Sequence, residues 1–106
     1  MVALNKIEQV AKRIAEETRA EAVALFGSHA GGQAGTESDV NLLVIAESDL
    51  PRHKRSRQLH LMFKPYPFAM DILVHTPKEV EAESEFELSF ISRVLREGKR
   101  LYGQAV

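Results

Sequence analysis

The chain of 106 residues contains no cysteine and no tryptophan. Without thiols, disulfides and thiolate metal sites are excluded. Its 14 basic and 15 acidic residues leave a formal net charge of −1, so the overall charge gives no argument for binding nucleic acid or a membrane surface. A chain of this length is sufficient for one hydrophobic core, and we predict a single domain over residues 1–106.

Long apolar runs are also absent from the sequence. None approaches the roughly 20 residues that a membrane-spanning helix needs. The start, "MVALNKIEQV", lacks the basic segment and the long apolar segment of a secretory signal. We therefore expect a cytoplasmic protein without membrane contact.

The apolar residues that are present predict both helices and strands. Spacings of three and four predict an amphipathic helix over residues 4–19. Short apolar runs predict strands at 21–27, 39–46 and 68–76. The second run is nearly continuous, which is typical of a strand in the centre of a sheet.

Two further helices are predicted, over residues 52–64 and 78–98. The second has an apolar stripe that begins at Phe86. The glutamates in the segment 79–87 would repel one another on a helix, so a part of that segment is predicted to be loop. The end, "KRLYGQAV", is a tail or a short edge strand. The order of elements predicts an α/β fold, with a small mixed β-sheet flanked by helices.

One group of polar residues surrounds the start of the second strand. Asp39 and Asn41 point the same way, roughly 6.5 Å apart, because side chains alternate along a strand. Asp71 joins them if its strand lies alongside, and such oxygen ligands suit Mg²⁺. Gly27 and Ser28, after the first strand, offer N–H groups and a hydroxyl to a phosphate. A metal beside a phosphate-binding turn indicates phosphoryl or nucleotidyl transfer.

At these residues the sequence resembles the nucleotidyltransferases of the DNA polymerase β superfamily, and particularly the stand-alone minimal nucleotidyltransferases. Their pattern is a strand, Gly-Ser, a loop, Ser-Asp-x-Asp at the next strand and a third Asp on a later strand. The likeness covers about residues 23–74. The matching positions are Gly27, Ser28, Ala30, Gly32, Ser38, Asp39 and Asp71.

The resemblance implies the polymerase β-like fold and transfer of AMP from ATP, or from another NTP, to an acceptor hydroxyl. Asp39 and Asp71 would be catalytic and would bind Mg²⁺ together with Asn41. Gly27 and Ser28 would hold the β- and γ-phosphates, and Asp71 would activate the acceptor as a base. Small members of the family often work as antitoxins of HEPN-domain toxins, so the resemblance also implies a protein partner.

Two residues depart from the family pattern. Gly31 stands where the family usually has an arginine, and Asn41 stands where it has the second metal-binding aspartate. The second change lowers the charge available to Mg²⁺. Two functions therefore stay open: an AMP-transferring enzyme, or an inactive module that neutralises a partner by contact. Metal-dependent nucleotide binding distinguishes them.

Two charged segments and the histidines complete the candidates. The basic segment "RHKRSR", residues 52–57, is a solvated helix face or a patch for triphosphate, an acidic partner or, less expected at this net charge, nucleic acid. The acidic segment 79–87 could receive a basic surface of a partner or of a second copy in a homo-oligomer. The four histidines have no metal-binding spacing and are predicted to lie on the surface or in loops; only His29 is placed to touch a nucleotide.

Overall fold

The computed structural model describes residues 2–31 and 39–103. They form a four-stranded mixed sheet with helices on both faces, which confirms the predicted α/β fold. In chain order the elements are α1 Leu4–Thr18, β1 Ala22–Phe26, β2 Val40–Ile45, a 3₁₀ turn Arg52–Lys54, α2 Arg57–Met62, β3 Met70–His75, α3 Pro77–Ser84, α4 Phe90–Glu97 and β4 Lys99–Gly103.

The strand order is β3-β2-β1-β4. β1 runs antiparallel to both β2 and β4, whereas β2 and β3 run parallel. β2 is therefore internal, as its apolar sequence predicted, and the C-terminal segment does form an edge strand. Within the described ranges, no helix is both long and apolar enough to cross a membrane.

Strand alternation gives the sheet two different faces. On the first face Leu42 and Val44 pack with α1, and both side chains are fully buried. On the second face Leu43 packs with α3 and α4, in a smaller apolar cluster. Asn41 belongs to this second face because it is two residues before Leu43. The second face is therefore where polar residues of the strands can meet a ligand.

One helix was predicted over residues 78–98, with a part of its acidic segment as loop, whereas the structure has two helices there. The acidic part is helical as α3, and the chain leaves the helical conformation at residues 85–89 before α4 begins. A capping box at Thr76 starts α3, and the Ser89 hydroxyl, which accepts from the Ser92 N–H, starts α4. Phe86, expected on the apolar stripe, is 68% exposed.

The helix expected over 52–64 is divided into the 3₁₀ turn and α2. The basic segment at its start does not present all its charges to solvent: Arg52 forms ion pairs with Glu79 and Glu83 of α3, and Arg55 with Glu79. These pairs offset the repulsion among the glutamates and explain why α3 is helical. Glu79 and Glu83 of the acidic segment are thus paired within the same chain, by Arg52 and Arg55.

Candidate nucleotide-binding site

The parallel register of β2 and β3 pairs Asn41 directly with Asp71. Neighbouring strands lie about 4.8 Å apart, so the two side chains leave the sheet side by side. Both lie on the second face, since Leu43 and Leu73, two residues further along, pack there. Asp71 is exposed and Asn41 is half-buried. The sequence-predicted neighbours are thus brought together at one end of the sheet.

Gly27 lies on the other side of Asn41. Its φ is +79°, a region that side chains disfavour, and a Cβ atom there would lie 2.7 Å from Asn41 Nδ2. Phe26, the residue before it, pairs with Asn41 across β1 and β2. Glycine is therefore required here both by backbone conformation and by close contact. Asn41 therefore lies between the Gly-Ser turn and Asp71.

Asp39 immediately precedes β2 and is exposed. The His29 Nδ1 is 3.1 Å from its carbonyl oxygen and donates to it, which ties the Gly-Ser turn to the start of β2. The His29 Nε2 is buried and has no partner within residues 2–31 and 39–103. Contact of His29 with a nucleotide stays a prediction. Gly32 and Ser38 of the family pattern lie outside the described residues.

Asn41 and Asp71 lie in register and Asp39 is two residues before Asn41, so this end of the sheet offers two exposed carboxylates and one amide. The described residues include no group of three histidine, cysteine, aspartate or glutamate side chains that could hold a metal, and Asn41 is the reason the set falls short of three acids. Mg²⁺ nevertheless binds through one or two carboxylates when substrate phosphates and waters complete its shell. These side chains therefore fit Mg²⁺ that arrives with a nucleotide, whose phosphates complete the shell. They provide too few ligands for Mg²⁺ without a nucleotide.

A cleft of about 640 Å³ opens beside the Gly-Ser turn, between that turn and α4. Phe26 and Phe90 form its apolar part, with their rings edge to face at 5.3 Å. Arg93 and Glu97 line it from α4 and are paired at 2.9 Å. The contribution of α4 to this cleft could not be predicted from local sequence patterns, because only the fold brings residues 90–98 to the turn.

The opposite end of the second face is closed by ion pairs. His75, expected on the surface or in a loop, is only 5% exposed, and its Nε2 is 3.5 Å from a Glu83 carboxylate oxygen. Burial and the nearby Arg52 guanidinium lower the pKa of His75. Its position on the same strand face as Leu73 was the signal available in the sequence.

Glu79 connects this end to the basic segment. Its carboxylate accepts from Arg55 and from the Thr76 N–H, and it forms an ion pair with Arg52. Arg55 also donates to the carbonyl oxygens of Leu50 and Val74. The Arg55 hydrogen bond, above all, lowers the pKa of Glu79 to about 2. These contacts give Arg52 and Arg55 a structural role in the domain.

Comparison with protein families identifies the class to which this fold and these residues belong. The sequence matches the family "Polymerase beta, Nucleotidyltransferase" over residues 5–105. The chain therefore belongs to this nucleotidyltransferase family, as the Gly-Ser and Ser-Asp pattern predicted. A comparison with curated proteins gives no match.

The fold is also similar to that of solved toxin–antitoxin structures. A chain of a toxin–antitoxin with AMP-PNP has a TM-score of 0.63 and 19% identity, over 92% of this chain and 73% of that one. A variant of the toxin–antitoxin MntA–HpeT with two aspartates replaced by glutamates has a TM-score of 0.59 and 18% identity, over 97% and 75%. A tyrosine-to-alanine variant of MntA–HpeT gives 0.58 and 19%, over 98% and 75%. At these identities the likeness establishes the fold.

Proposed function

We propose that this chain binds Mg-ATP, or another nucleoside triphosphate, and transfers the nucleoside monophosphate to a hydroxyl of a partner protein, with pyrophosphate as the leaving group. The observation that carries the proposal is the pairing of Asn41 with Asp71 directly beside Gly27. That arrangement would supply oxygen ligands for a metal next to a turn suited to phosphates, which supports nucleotidyl transfer.

Each residue would have a separate role. Asp39 and Asp71 would hold Mg²⁺, with Asn41 as a neutral ligand, and Gly27 and Ser28 would bind the β- and γ-phosphates. The bound ion would neutralise phosphate charge that develops during transfer. The exposed Asp71 carboxylate would accept the proton of the acceptor hydroxyl.

The proposed partner is a toxin protein of the HEPN class, and the proposed location is the cytoplasm. The family resemblance implies such a partner, and the likeness of the fold to toxin–antitoxin structures, one with AMP-PNP, supports it. The cleft beside the turn leaves a nucleotide accessible from outside the domain. A partner's hydroxyl could therefore approach the site.

Neutralisation of the partner by contact alone is a second candidate, favoured by the segment that joins α3 and α4. Leu88 is 95% exposed and Phe86 is 68% exposed. Large exposed apolar side chains grouped together are typical of protein interfaces. The exposed Glu85 and Glu87 beside them fit a partner with a basic rim. Asn41 would then be a remnant of lost chemistry.

The two candidates differ in metal-dependent nucleotide binding, which calorimetry measures directly. ATP is titrated with and without Mg²⁺ into the protein, its Asn41→Asp variant and an Asn5→Asp control, which adds the same charge at an exposed position on α1. Nucleotidyl transfer predicts that the protein binds Mg-ATP and that Asn41→Asp tightens binding about tenfold, since it restores a carboxylate. The Asn5→Asp control should bind as the parent does.

Binding only by the Asn41→Asp variant would favour the contact module. Absence of binding by every variant would rule out the nucleotide function. Where Mg-ATP binds, incubation with ATP labelled at the α-phosphate and a candidate toxin should transfer the label to the toxin. A toxin neutralised without label would again favour the contact module.

A further inference from the structure

The cleft between the Gly-Ser turn and α4 has one feature that the proposed roles leave unused. Among its described lining residues, Arg93 is the one that carries a permanent positive charge. It shares the cleft with Gly27 and Ser28, the residues proposed to bind phosphates. We infer that Arg93 binds the phosphate chain of the nucleotide, an inference that rests on the proposed Mg-ATP binding.

The turn by itself offers few donors to a triphosphate. The N–H groups of Ala30 and Gly31 are 3.1 and 3.3 Å from the Gly27 carbonyl oxygen and donate to it, so they are used within the turn. Gly31 also lines the cleft and brings no side-chain donor to it. A triphosphate bound here with its Mg²⁺ would therefore gain further contacts from a cation on another element, and α4 carries one in Arg93.

The pairing of Arg93 with Glu97 is compatible with this role. The two side chains are 72% and 59% exposed, and an exposed i,i+4 pair of this kind holds its partners weakly. A guanidinium binds phosphate oxygens with two parallel hydrogen bonds, which is a stronger interaction. Arg93 would therefore exchange Glu97 for the phosphates, and Glu97 would compete with the nucleotide.

The chain offers a matched control on the same helix. Arg96 is exposed, carries the same charge and lies near the C-terminal end of α4, but it is not among the residues lining the cleft. Arg93→Gln and Arg96→Gln therefore make the same change of net charge. Only the first removes a cation from the cleft.

The test is calorimetric titration of Mg-ATP, with inorganic triphosphate as a competitor, into the full chain and the variants Arg93→Gln, Arg96→Gln and Glu97→Gln. Arg93→Gln should weaken Mg-ATP and triphosphate alike by about tenfold, the value of one charge-assisted contact. Arg96→Gln should stay within about twofold of the parent, and Glu97→Gln should tighten binding about two- to threefold. Thermal unfolding checks that each variant is folded.

Equal Mg-ATP affinities of the Arg93→Gln and Arg96→Gln variants would overturn the inference while the proposed function stands. Loss of Mg-ATP affinity with unchanged triphosphate affinity would also overturn it, because the contact would then be to the nucleoside. Failure of the parent protein to bind Mg-ATP would remove the proposed function, and this inference with it.

Discussion

The two ends of the second face of the sheet differ in the exposure of their polar groups. At one end of β3, Asp71 is exposed beside Asn41 and the Gly-Ser turn. At the other end, His75 on the same face is buried beneath Glu83 and Arg52. Polar groups left open to solvent can exchange water for a ligand, whereas buried ones need partners from the chain itself. One end is thus suited to binding and the other to stability.

Removal of Arg55 should produce the largest effect on stability. Its side chain is 9% exposed and it bonds to Glu79 and to two backbone carbonyls, so Arg55→Met leaves a partly buried carboxylate and two acceptors without it. We expect a loss of about 2–4 kcal/mol in the free energy of unfolding, measured by urea denaturation. The exposed Arg57→Met is the control, with a change within about 0.5 kcal/mol. Equal stability of the two variants would mean that the contacts of Arg55 at the His75 end of the sheet do not stabilise the fold.

Asp71→Asn, at the exposed end of the second face, should affect ligand binding strongly and stability little. Loss of one of two carboxylates should weaken Mg-ATP binding by about thirtyfold, roughly 2 kcal/mol. Stability should change by no more than about 0.5 kcal/mol, because the side chain is exposed. Calorimetry and urea denaturation of the same sample separate the two effects. A destabilised variant with unchanged Mg-ATP affinity would assign Asp71 to the structure.

Gly27→Ala tests the contact that joins the turn to the acids. The positive φ and the 2.7 Å approach of a Cβ atom to Asn41 Nδ2 should together destabilise the protein by about 1–2 kcal/mol. In the double variant with Asn41→Ala, only the backbone cost should remain, so the two changes should not be additive in thermal unfolding. Additive effects would show that Gly27 and Asn41 do not interact.

Lowering the pH should produce the smallest effect, a decrease in stability that arises at the His75 end of the second face. Because the folded-state pKa of Glu79 is about 2, its contribution is present above the ordinary value of 4.5 and is lost as the pH falls from 4.5 toward 2. The pKa of His75 is also lowered, so the unfolded chain binds its proton first and stability already begins to fall below pH 6.5.

For Glu79 we expect a loss of about 1 kcal/mol, allowing for its partial exposure, in urea denaturation between pH 5 and 3. Glu79→Gln removes the titrating group and should flatten the profile in that range. His75→Gln should flatten it near pH 6. A profile that is unchanged in both variants would place the acid sensitivity elsewhere in the chain.

Much of the architecture could be predicted from local patterns. Helical spacing predicted α1, and apolar runs predicted β1, β2 and β3, because burial of one face or of a whole strand leaves a period in the sequence. The helix boundaries near residues 85–89 could not be predicted in this way. Whether glutamates on α3 repel or stabilise depends on Arg52 and Arg55, which are distant in sequence.

The features of the candidate site can likewise be separated into those that the sequence predicts and those that depend on tertiary contacts. The sequence by itself determined the turn at Gly27, the side-chain chemistry at Asp39, Asn41 and Asp71, and the family, because these depend on residue chemistry and on local spacing. Only the tertiary structure decided that Asn41 and Asp71 are in register and that Arg93 lies in the cleft beside Gly27. Strand pairing and helix packing join residues far apart in the chain, and local periodicity carries no record of which distant residues will meet.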